Sequence, residues 1–388
     1  MDTRDQAKEV EKAMTEVNST HKVEVFRIDS IHPHLNADSL EIIRPFGGYQ
    51  CVVKKGEWKV GDLAAYVPPD NLVPLDHPQF SWLKETGRSP KYIDGKPYHR
   101  VTAVKLRKEV SLGLIVSAIG AKEGTDLASV FGVLHYDPPG SGRDNASVRK
   151  PFWLKSFKPT VKVPVYDLEP LRRFMDVFTP GESVIVTEKI HGANARYIWD
   201  DSKSIVLTEK GVRIGPLGMA WNGAGFRFQW IPLEDRHLWV GSRRLWLLKR
   251  EGDDWWKALT QGMKDFLRLY PKWTLYGEVY GDVQDLKYGF PPGVVNFVAF
   301  DLRDDQGAYV SYHRFGELMK QFAIPTVPYI GTFNFNGDEI LSMAEGKSLI
   351  ADHLREGIVV RPLQERIDPR VGRVVMKVVS SAYLERAK

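Results

Sequence analysis

Residues Ser183 to Asn194 read SVIVTEKIHGAN and predict a buried strand that ends at a lysine. The run from Val184 to Thr187 is β-branched and apolar, and Ala195 to Trp199 resumes an extended pattern. Lys189 therefore lies at a turn between two buried strands, which is a place for a covalent nucleophile. The alternative is an ordinary hairpin whose lysine keeps its ammonium group in water.

The size and composition of the chain limit its class. At 388 residues it exceeds one typical domain, so two domains are expected. A hydrophobic fraction of 43% and a charged fraction of 27% are typical of a folded soluble protein. No apolar run reaches the ~18 residues of a membrane span. The single cysteine, Cys51, excludes an intramolecular disulfide and a multi-cysteine zinc site, so we expect an intracellular, cytoplasmic protein.

The positive charge is concentrated in two stretches. The net charge of +5 permits a polyanionic partner without requiring one. Arg100 to Lys108 reads RVTAVKLRK, and Arg149 to Lys162 reads RKPFWLKSFKPTVK. Such basic and aromatic stretches suit nucleic acid, because cations meet phosphates and rings stack on bases. A solvated linker is the open alternative.

The pattern of apolar runs divides the chain into two halves. Residues 1–20 predict an arm or short helix, 21–136 a small all-β barrel or sandwich, 137–160 a linker, and 161–388 an α+β domain with antiparallel sheets. Helices are predicted at 167–177, 255–269 and 315–322. The glycine-rich stretch 211–225 matches neither a P-loop nor a dinucleotide fingerprint and predicts a loop.

Three charged residues of the second half interrupt or adjoin strands that should be buried. Glu278 lies in WTLYGEVYG, where a buried carboxylate needs a partner such as a pair of ribose hydroxyls. Glu356 precedes the strand GIVVRP and could hold a hydrated divalent cation. Lys377 interrupts RVVMKVVS and would need an anion such as phosphate if it faces inward. Each residue could instead lie on a solvated strand face or strand end.

Six segments in order carry a resemblance to a known family. TEKIHGAN, VGSRR, LYGEVYG, VNFVAFD, REGIVVRP and VVMKVVS occur in the order and approximate spacing of motifs I, Ia, III, IIIa, IV and V of the covalent nucleotidyltransferases. KIHG, where many DNA ligases have KxDG, resembles the RNA ligase branch. The first half, with IHPHLNADSLEI and YQCVVKKGEWKVGDLAAYV, is similar to OB modules that bind nucleic acid. The whole chain thus resembles nick-sealing RNA ligases with an N-terminal OB module.

The resemblance implies a role for each motif residue. Lys189 would attack the α-phosphate of ATP and carry the AMP, with Glu356 organising Mg²⁺ or Mn²⁺ through water. Lys377 would contact phosphate as part of the catalytic set. The remaining residues implied in nucleotide binding are Glu188, Ile190, His191, Asn194, Arg243 near the ribose or the nucleic-acid end, Glu278 on the ribose, and Phe297 stacked on adenine. Motif V departs from the family, because Val375 and Val379 leave Lys377 as its single lysine and only Ser380 or Ser381 stands nearby.

The expected function follows from these implied roles. The chain is expected to be an ATP-dependent RNA ligase that adenylates a 5′-phosphate end and joins it to a 3′-OH, sealing nicks or breaks in RNA-containing duplexes as a monomer without a membrane partner. Two alternatives stay open at this point. One is an RNA-binding protein whose nucleotidyltransferase half does not turn over, and the other is a DNA ligase.

Overall fold

The computed structural model describes residues 22–136 and 163–386, apart from 201–204, 208–210, 215–216, 222–225, 231–234, 236, 244–245, 248 and 250–251. The predicted arm at 1–20 and the basic stretch Arg149–Lys162 lie outside the described residues. None of the helices within these ranges is long and apolar enough to cross a bilayer.

The N-terminal domain is built almost entirely from short antiparallel strands. These form sheets in the orders β1-β5-β11, β2-β3-β4, β9-β10 and β12-β6-β8-β7. The elements are β1 Glu24–Arg27, β2 Ile31–Pro33, β3 Leu40–Ile43, β4 Cys51–Lys54, β5 Leu63–Val67, β6 Asn71–Pro74, β7 Lys91–Ile93, β8 Lys96–Arg100, β9 Ala103–Leu106, β10 Glu109–Leu112, β11 Leu114–Ser117, α1 Ala128–Phe131 and β12 Leu134–His135.

Strand β5 separates two apolar clusters in this domain. Because side chains alternate along a strand, Ala65 and Val67 pack into one cluster and Ala64 and Tyr66 into the other. Cys51 is buried in the second cluster, and its thiol donates to the carbonyl of Leu112. Burial on both faces explains why the sequence of β5, LAAYV, is apolar throughout.

The C-terminal domain carries two five-stranded sheets. Their orders are β13-β28-β25-β14-β24 and β21-β20-β15-β22-β23, and the pairings are antiparallel except β13 with β28. The elements are β13 Glu169–Pro170, β14 Ser183–Lys189, β15 Ala193–Trp199, β16 Ile205–Leu207, β17 Gly211–Ile214, β18 Leu217–Trp221, β19 Phe226–Trp230, β20 Leu238–Ser242, β21 Trp246–Leu247, α2 Asp254–Lys257, α3 Gln261–Leu269, β22 Thr274–Gly281, β23 Val295–Arg303, α4 Tyr312–Gln321, β24 Tyr329–Asn334, α5 Gly337–Ser342, β25 Gly357–Pro362, β26 Ile367–Asp368, β27 Gly372–Arg373, β28 Met376–Val379 and α6 Ser381–Arg386.

Two helices cover the outer face of the second sheet. The hydroxyls of Thr260 and Ser311 cap α3 and α4 by accepting from the backbone NH groups three residues later. Their buried residues, including Phe266 and Leu318, share a core with Val279 and Phe297 of β22 and β23. The opposite face of that sheet is left for the site described below.

Two regions differ from the sequence-based expectations. The predicted helix at 167–177 is instead two short 3₁₀ turns, Leu171–Arg173 and Met175–Val177, after the brief strand β13. The predicted loop at 211–225 was wrong, because β17 and β18 pair there within the four-stranded antiparallel sheet β16-β17-β18-β19. Glycine can adopt an extended backbone, so a stretch rich in glycine can still form paired strands.

The two domains are in direct contact. The guanidinium of Arg173 pairs with Glu24 and lies 4.5 Å from the ring centroid of Phe46. Arg172 donates to the carbonyl of Gly48 at 3.0 Å, and a side chain at Gly48 would collide with the Arg172 carbonyl. From the C-terminal end, Leu384 of α6 packs against the barrel cluster that contains Ala103.

Candidate active site

Lys189 and Glu356 form an ion pair at the ends of neighbouring strands. Lys189 ends β14 and is paired across the sheet with Gly357, which follows Glu356. The Lys189 Nζ atom lies 2.7 Å from Glu356 Oε1, and the two side chains are 25% and 13% exposed. Burial lowers the pKa of Lys189, but Glu356 and then Glu278 outweigh it and raise that pKa above its ordinary value. The ammonium form of Lys189 is therefore the resting state.

His191 is fixed beside this pair by three contacts. Its backbone NH donates to the Tyr288 hydroxyl at 2.7 Å, its Nε2 lies 2.6 Å from Asp285 Oδ1, and its Nδ1 lies 3.1 Å from the Tyr383 hydroxyl. Burial lowers the pKa of His191, but Glu356 and Asp285 offset it and the net direction is upward. The imidazole is thus held rigidly within 3.6 Å of Glu356 Oε2.

Glu278 and Asn194 face each other across β15 and β22. They are partners in the strand register, and the Asn194 side-chain oxygen is buried without a hydrogen-bond partner among the described residues. Burial raises the pKa of Glu278 to about 8, even though Lys189 acts in the opposite direction. A half-buried carboxyl group beside a buried amide oxygen that has no hydrogen-bond partner among the described residues makes this a place for a polar ligand.

The backbone at Gly192 lies close to β22, and the absence of a side chain there leaves room for Glu278. A Cβ atom at Gly192 would lie 2.2 Å from the Val279 carbonyl oxygen and 2.9 Å from Glu278 Cγ. Only glycine leaves both atoms in place, so the glycine of KIHG is explained by the packing of β15 on β22.

Lys377 and Arg243 bring positive charge to the same cleft. Lys377 lies on the same face of its sheet as Lys189, because it pairs with Val359, which pairs with Thr187. Burial lowers the pKa of Lys377, with Asp167 acting against that change. Arg243 forms an ion pair with Asp167. The site therefore holds two cations that an incoming phosphate could bind.

Three predicted residues occupy other positions than expected. Phe297 is 3% exposed and packs in the core behind β22, on the side where a Gly277 side chain would point and hence opposite Glu278. The structure therefore contradicts its stacking role. The Glu188 side chain faces the core side of β14 and accepts from the Leu349 NH at 2.7 Å, so it does not join the cleft. Ile190 is buried in the apolar cluster of Val298 and Val327.

The structure also shows site residues that the sequence reasoning missed. Asp285 and Tyr383 contact His191, and Asp167 pairs with Arg243. Phe300 remains partly exposed and packs beside Ile190 and Val298. Ser380, which was considered as a substitute phosphate contact, is fully buried and donates to Glu345. None of these contacts has a local sequence signal, since each joins residues distant in the chain, apart from Phe300 within VNFVAFD.

The donor set fits a hydrated divalent cation better than a directly ligated one. No group of three or more His, Cys, Asp or Glu side chains converges for metal binding within the described ranges. Glu356 Oε2 is nevertheless buried, ionised and without a hydrogen-bond donor among those residues. Since hard cations such as Mg²⁺ keep several waters and bind through one or two carboxylates, Glu356 is the residue that would hold one.

Comparisons with known families now identify the chain. The RNA ligase family matches residues 182–379, about half of the sequence, and an OB-fold domain matches residues 22–118. The chain belongs to the RNA ligase family. No curated protein sequence matches this RNA ligase significantly.

Solved structures support the fold of this RNA ligase. A mutant of the Naegleria gruberi RNA ligase with ATP and Mn superposes with a TM-score of 0.70 at 22% identity, covering 94% of this chain and 98% of that one. Naegleria gruberi RNA ligase with PPi gives the same TM-score, identity and coverage of both chains. An N-terminal OB barrel followed by an antiparallel nucleotidyltransferase domain is thereby confirmed.

Proposed function

We propose that this RNA ligase uses ATP to form a lysyl-AMP on Lys189 and then seals breaks in RNA-containing duplexes. The observation that carries the proposal is the convergence of Lys189, Glu356, Glu278, Lys377 and Arg243 on one cleft between the two large sheets. Each residue comes from a different motif of the chain. Similar folds solved with ATP and Mn or with PPi support a nucleotide and a divalent cation as ligands here.

The first step is an in-line displacement at the α-phosphorus of ATP. The Lys189 amine attacks, a P–N bond forms, the bond to the β-phosphate oxygen breaks, and pyrophosphate leaves. Lys189 must first lose the proton that its pair with Glu356 retains. A divalent ion at Glu356, when bound, supplies positive charge that disfavours the ammonium form and offsets charge on the phosphate.

The other residues of the cleft orient the nucleotide. Glu278 accepts hydrogen bonds from the ribose hydroxyls. Lys377 and Arg243 balance the phosphate charge. Arg243 gives up its ion pair with Asp167 and binds the phosphate instead. Phe300, rather than Phe297, offers a partly exposed ring for the adenine.

Two further transfers complete the reaction. A 5′-phosphate oxygen attacks the AMP phosphorus, the P–N bond to Lys189 breaks, and a phosphoanhydride forms. A 3′-OH then attacks the RNA phosphorus of that anhydride, a phosphodiester forms, and AMP leaves. The protein is proposed to act as an intracellular monomer on 3′-OH and 5′-phosphate ends held in a nick.

The test is transfer of radiolabel to the protein from ATP labelled at its α-phosphate. Lys189→Ala should abolish labelling, whereas Lys320→Ala, at an exposed position on α4, should label like the wild type. Labelling of Lys189→Ala at the wild-type level would refute the proposal. Sealing of nicks with either a ribose or a deoxyribose at the 3′-OH end then separates an RNA ligase from a DNA ligase.

A further inference from the structure

The β9–β10 hairpin presents two cations at a tight two-residue turn. Leu106 and Glu109 are paired in the register, and Arg107 and Lys108 connect them with φ angles of 48° and 78°. Both side chains are exposed, and no ion pair joins either of them to another described residue. This hairpin contains the end of the basic stretch Arg100–Lys108.

The residues at this turn are unfavourable for its backbone conformation. A turn with positive φ at both central positions strongly prefers Asn-Gly or Asp-Gly, because a Cβ atom crowds the carbonyl oxygen in the left-handed backbone, glycine has no Cβ, and Asn and Asp form local hydrogen bonds. Arg and Lys at both positions therefore do not serve the folding of the hairpin. Backbone strain of this kind is often found at binding sites.

Buried polar contacts hold the hairpin in place. His34, which is buried, lies with its Nε2 3.1 Å from the Leu106 carbonyl oxygen, and its Nδ1 accepts from the Asn36 NH. Nε2 is therefore the donor to Leu106. At the other strand, the Gln50 amide donates to the Glu109 carboxylate and to the Val110 carbonyl at 3.1 Å and 3.0 Å. The two cations are thus presented on a rigid support.

The hairpin lies next to the element that borders the active site. Strand β9 contacts α6, and Ala103 and Leu384 share one apolar cluster. On its other side, α6 places Tyr383 on His191, and Arg386 pairs with Asp285 at 2.7 Å. One helix, roughly 10–12 Å in diameter, therefore separates β9 from the residues around Lys189.

We propose that Arg107 and Lys108 bind backbone phosphates of the RNA strand whose end is held at Lys189. This inference rests on the proposed function, because it requires a nucleic-acid end in the cleft. A strand that leaves the cleft across α6 and follows β9 reaches this turn. Two cations on a rigid hairpin, without an ion pair to any described residue, suit phosphates and carry no sequence preference.

The decisive variant replaces the turn by its preferred sequence. Arg107→Asn with Lys108→Gly removes both charges and favours the same backbone, so misfolding would not account for a loss of binding. The matched control is Arg314→Ala with Lys320→Ala, which removes one Arg and one Lys from the exposed face of α4 behind the second sheet. Arg107→Lys with Lys108→Arg keeps both charges.

The measurement is the affinity for a nicked RNA duplex as a function of salt. The Asn-Gly variant should bind about tenfold or more weakly at low salt, and the slope of log K against log[salt] should fall by about 1.5. The control and the charge-retaining variant should keep the wild-type slope. An unchanged slope in the Asn-Gly variant would overturn the proposal, as would an equal loss in the α4 control.

Self-adenylation separates this inference from the proposed function. Labelling from ATP uses only the cleft, so the Asn-Gly variant should label normally. If Lys189→Ala loses labelling while the Asn-Gly variant keeps its RNA affinity, the hairpin role fails and the lysyl-AMP proposal stands. If none of the proteins is labelled, the wild type included, but the Asn-Gly variant loses RNA affinity, the lysyl-AMP proposal fails and the hairpin still binds RNA.

Discussion

Lys189 is held as an ammonium ion by the Glu356 carboxylate at 2.7 Å. An amine in that form cannot attack phosphorus, so the proposed nucleophile requires Glu356 to acquire another partner before it can react. The buried Oε2 atom of Glu356 accepts no hydrogen bond from the described residues and has only His191 Nδ1 nearby, at 3.6 Å, so this is where such a partner would bind. The proposed activation of Lys189 therefore depends on what binds Glu356.

Glu278 gives a prediction about pH and stability. Its pKa is raised by burial to about 8, so between about pH 4.5 and 8 the folded protein binds more protons than the unfolded chain. The free energy of unfolding should therefore fall as pH rises through this window. Glu278→Gln removes the titration, so thermal unfolding of this variant should lose less stability between pH 5 and pH 8 than the wild type. Parallel curves for the two proteins would contradict the raised pKa.

Tyr383 gives a second prediction at the residue scale. Tyr383→Phe removes the hydroxyl that contacts His191 Nδ1 and keeps the ring. A hydrogen bond of about 1 kcal/mol corresponds to roughly a fivefold slower labelling rate from ATP, if it positions His191 beside Glu356. The KM for ATP should stay near the wild-type value, because Tyr383 is not placed on the nucleotide. Tyr92→Phe, at an exposed position of β7, is the matched control, and an equal effect there would rule out positioning.

At the element scale, the sequence predicts where the strands lie better than it predicts which face of a sheet each side chain occupies. The structure has Lys189, Glu278 and Lys377 in strands and Glu356 directly before one, as the sequence predicts, because apolar alternation is a local signal. Phe297 was misplaced because its face depends on the pairing of β22 with β23. Phe297 is opposite Val279 in that pairing and shares its core face under α3 and α4, and no local signal shows which face of a sheet the helices cover.

The residues that hold His191 in place could not be predicted for a related reason. Asp285 follows β22 and Tyr383 lies on α6, nearly a hundred residues apart, yet both contact His191. Their meeting depends on how α6 folds back after β28. Such contacts belong to tertiary packing, which a single sequence does not specify.

The close contact of β15 with β22 gives an element-scale prediction. Gly192→Ala places a methyl group 2.2 Å from the Val279 carbonyl oxygen, so the two strands must separate. We expect a loss of about 1–3 kcal/mol in the free energy of unfolding, measured by urea denaturation. Gly316→Ala in α4 is the control, because nothing lies within 4 Å of its added methyl and alanine favours a helix. A Gly192→Ala protein as stable as the wild type would show that the strands are not in contact there.

At the scale of the whole molecule, the barrel and the catalytic domain form one continuous surface. Arg172 and Arg173 reach the barrel from a 3₁₀ turn next to β28, the strand that carries Lys377. From the other side, α6 joins the barrel through Leu384 and the active site through Tyr383. A nucleic acid bound to the barrel, as proposed, would therefore be held at a fixed position relative to Lys189.

The ion pair between Arg173 and Glu24 tests whether this docking serves sealing. Arg173→Glu places two carboxylates together in a largely buried contact and should weaken docking by about 1–3 kcal/mol. The radius of gyration from small-angle X-ray scattering should increase, and the rate of nick sealing should fall. Labelling from ATP should persist, because every residue proposed to bind the nucleotide lies in the catalytic domain. Adding Glu24→Arg restores opposite charges and should recover both docking and sealing, apart from the Phe46 contact, which a carboxylate in place of the guanidinium cannot make. If Arg173→Glu alone has a larger radius of gyration but seals nicks at the wild-type rate, sealing does not require the barrel to be held in a fixed position.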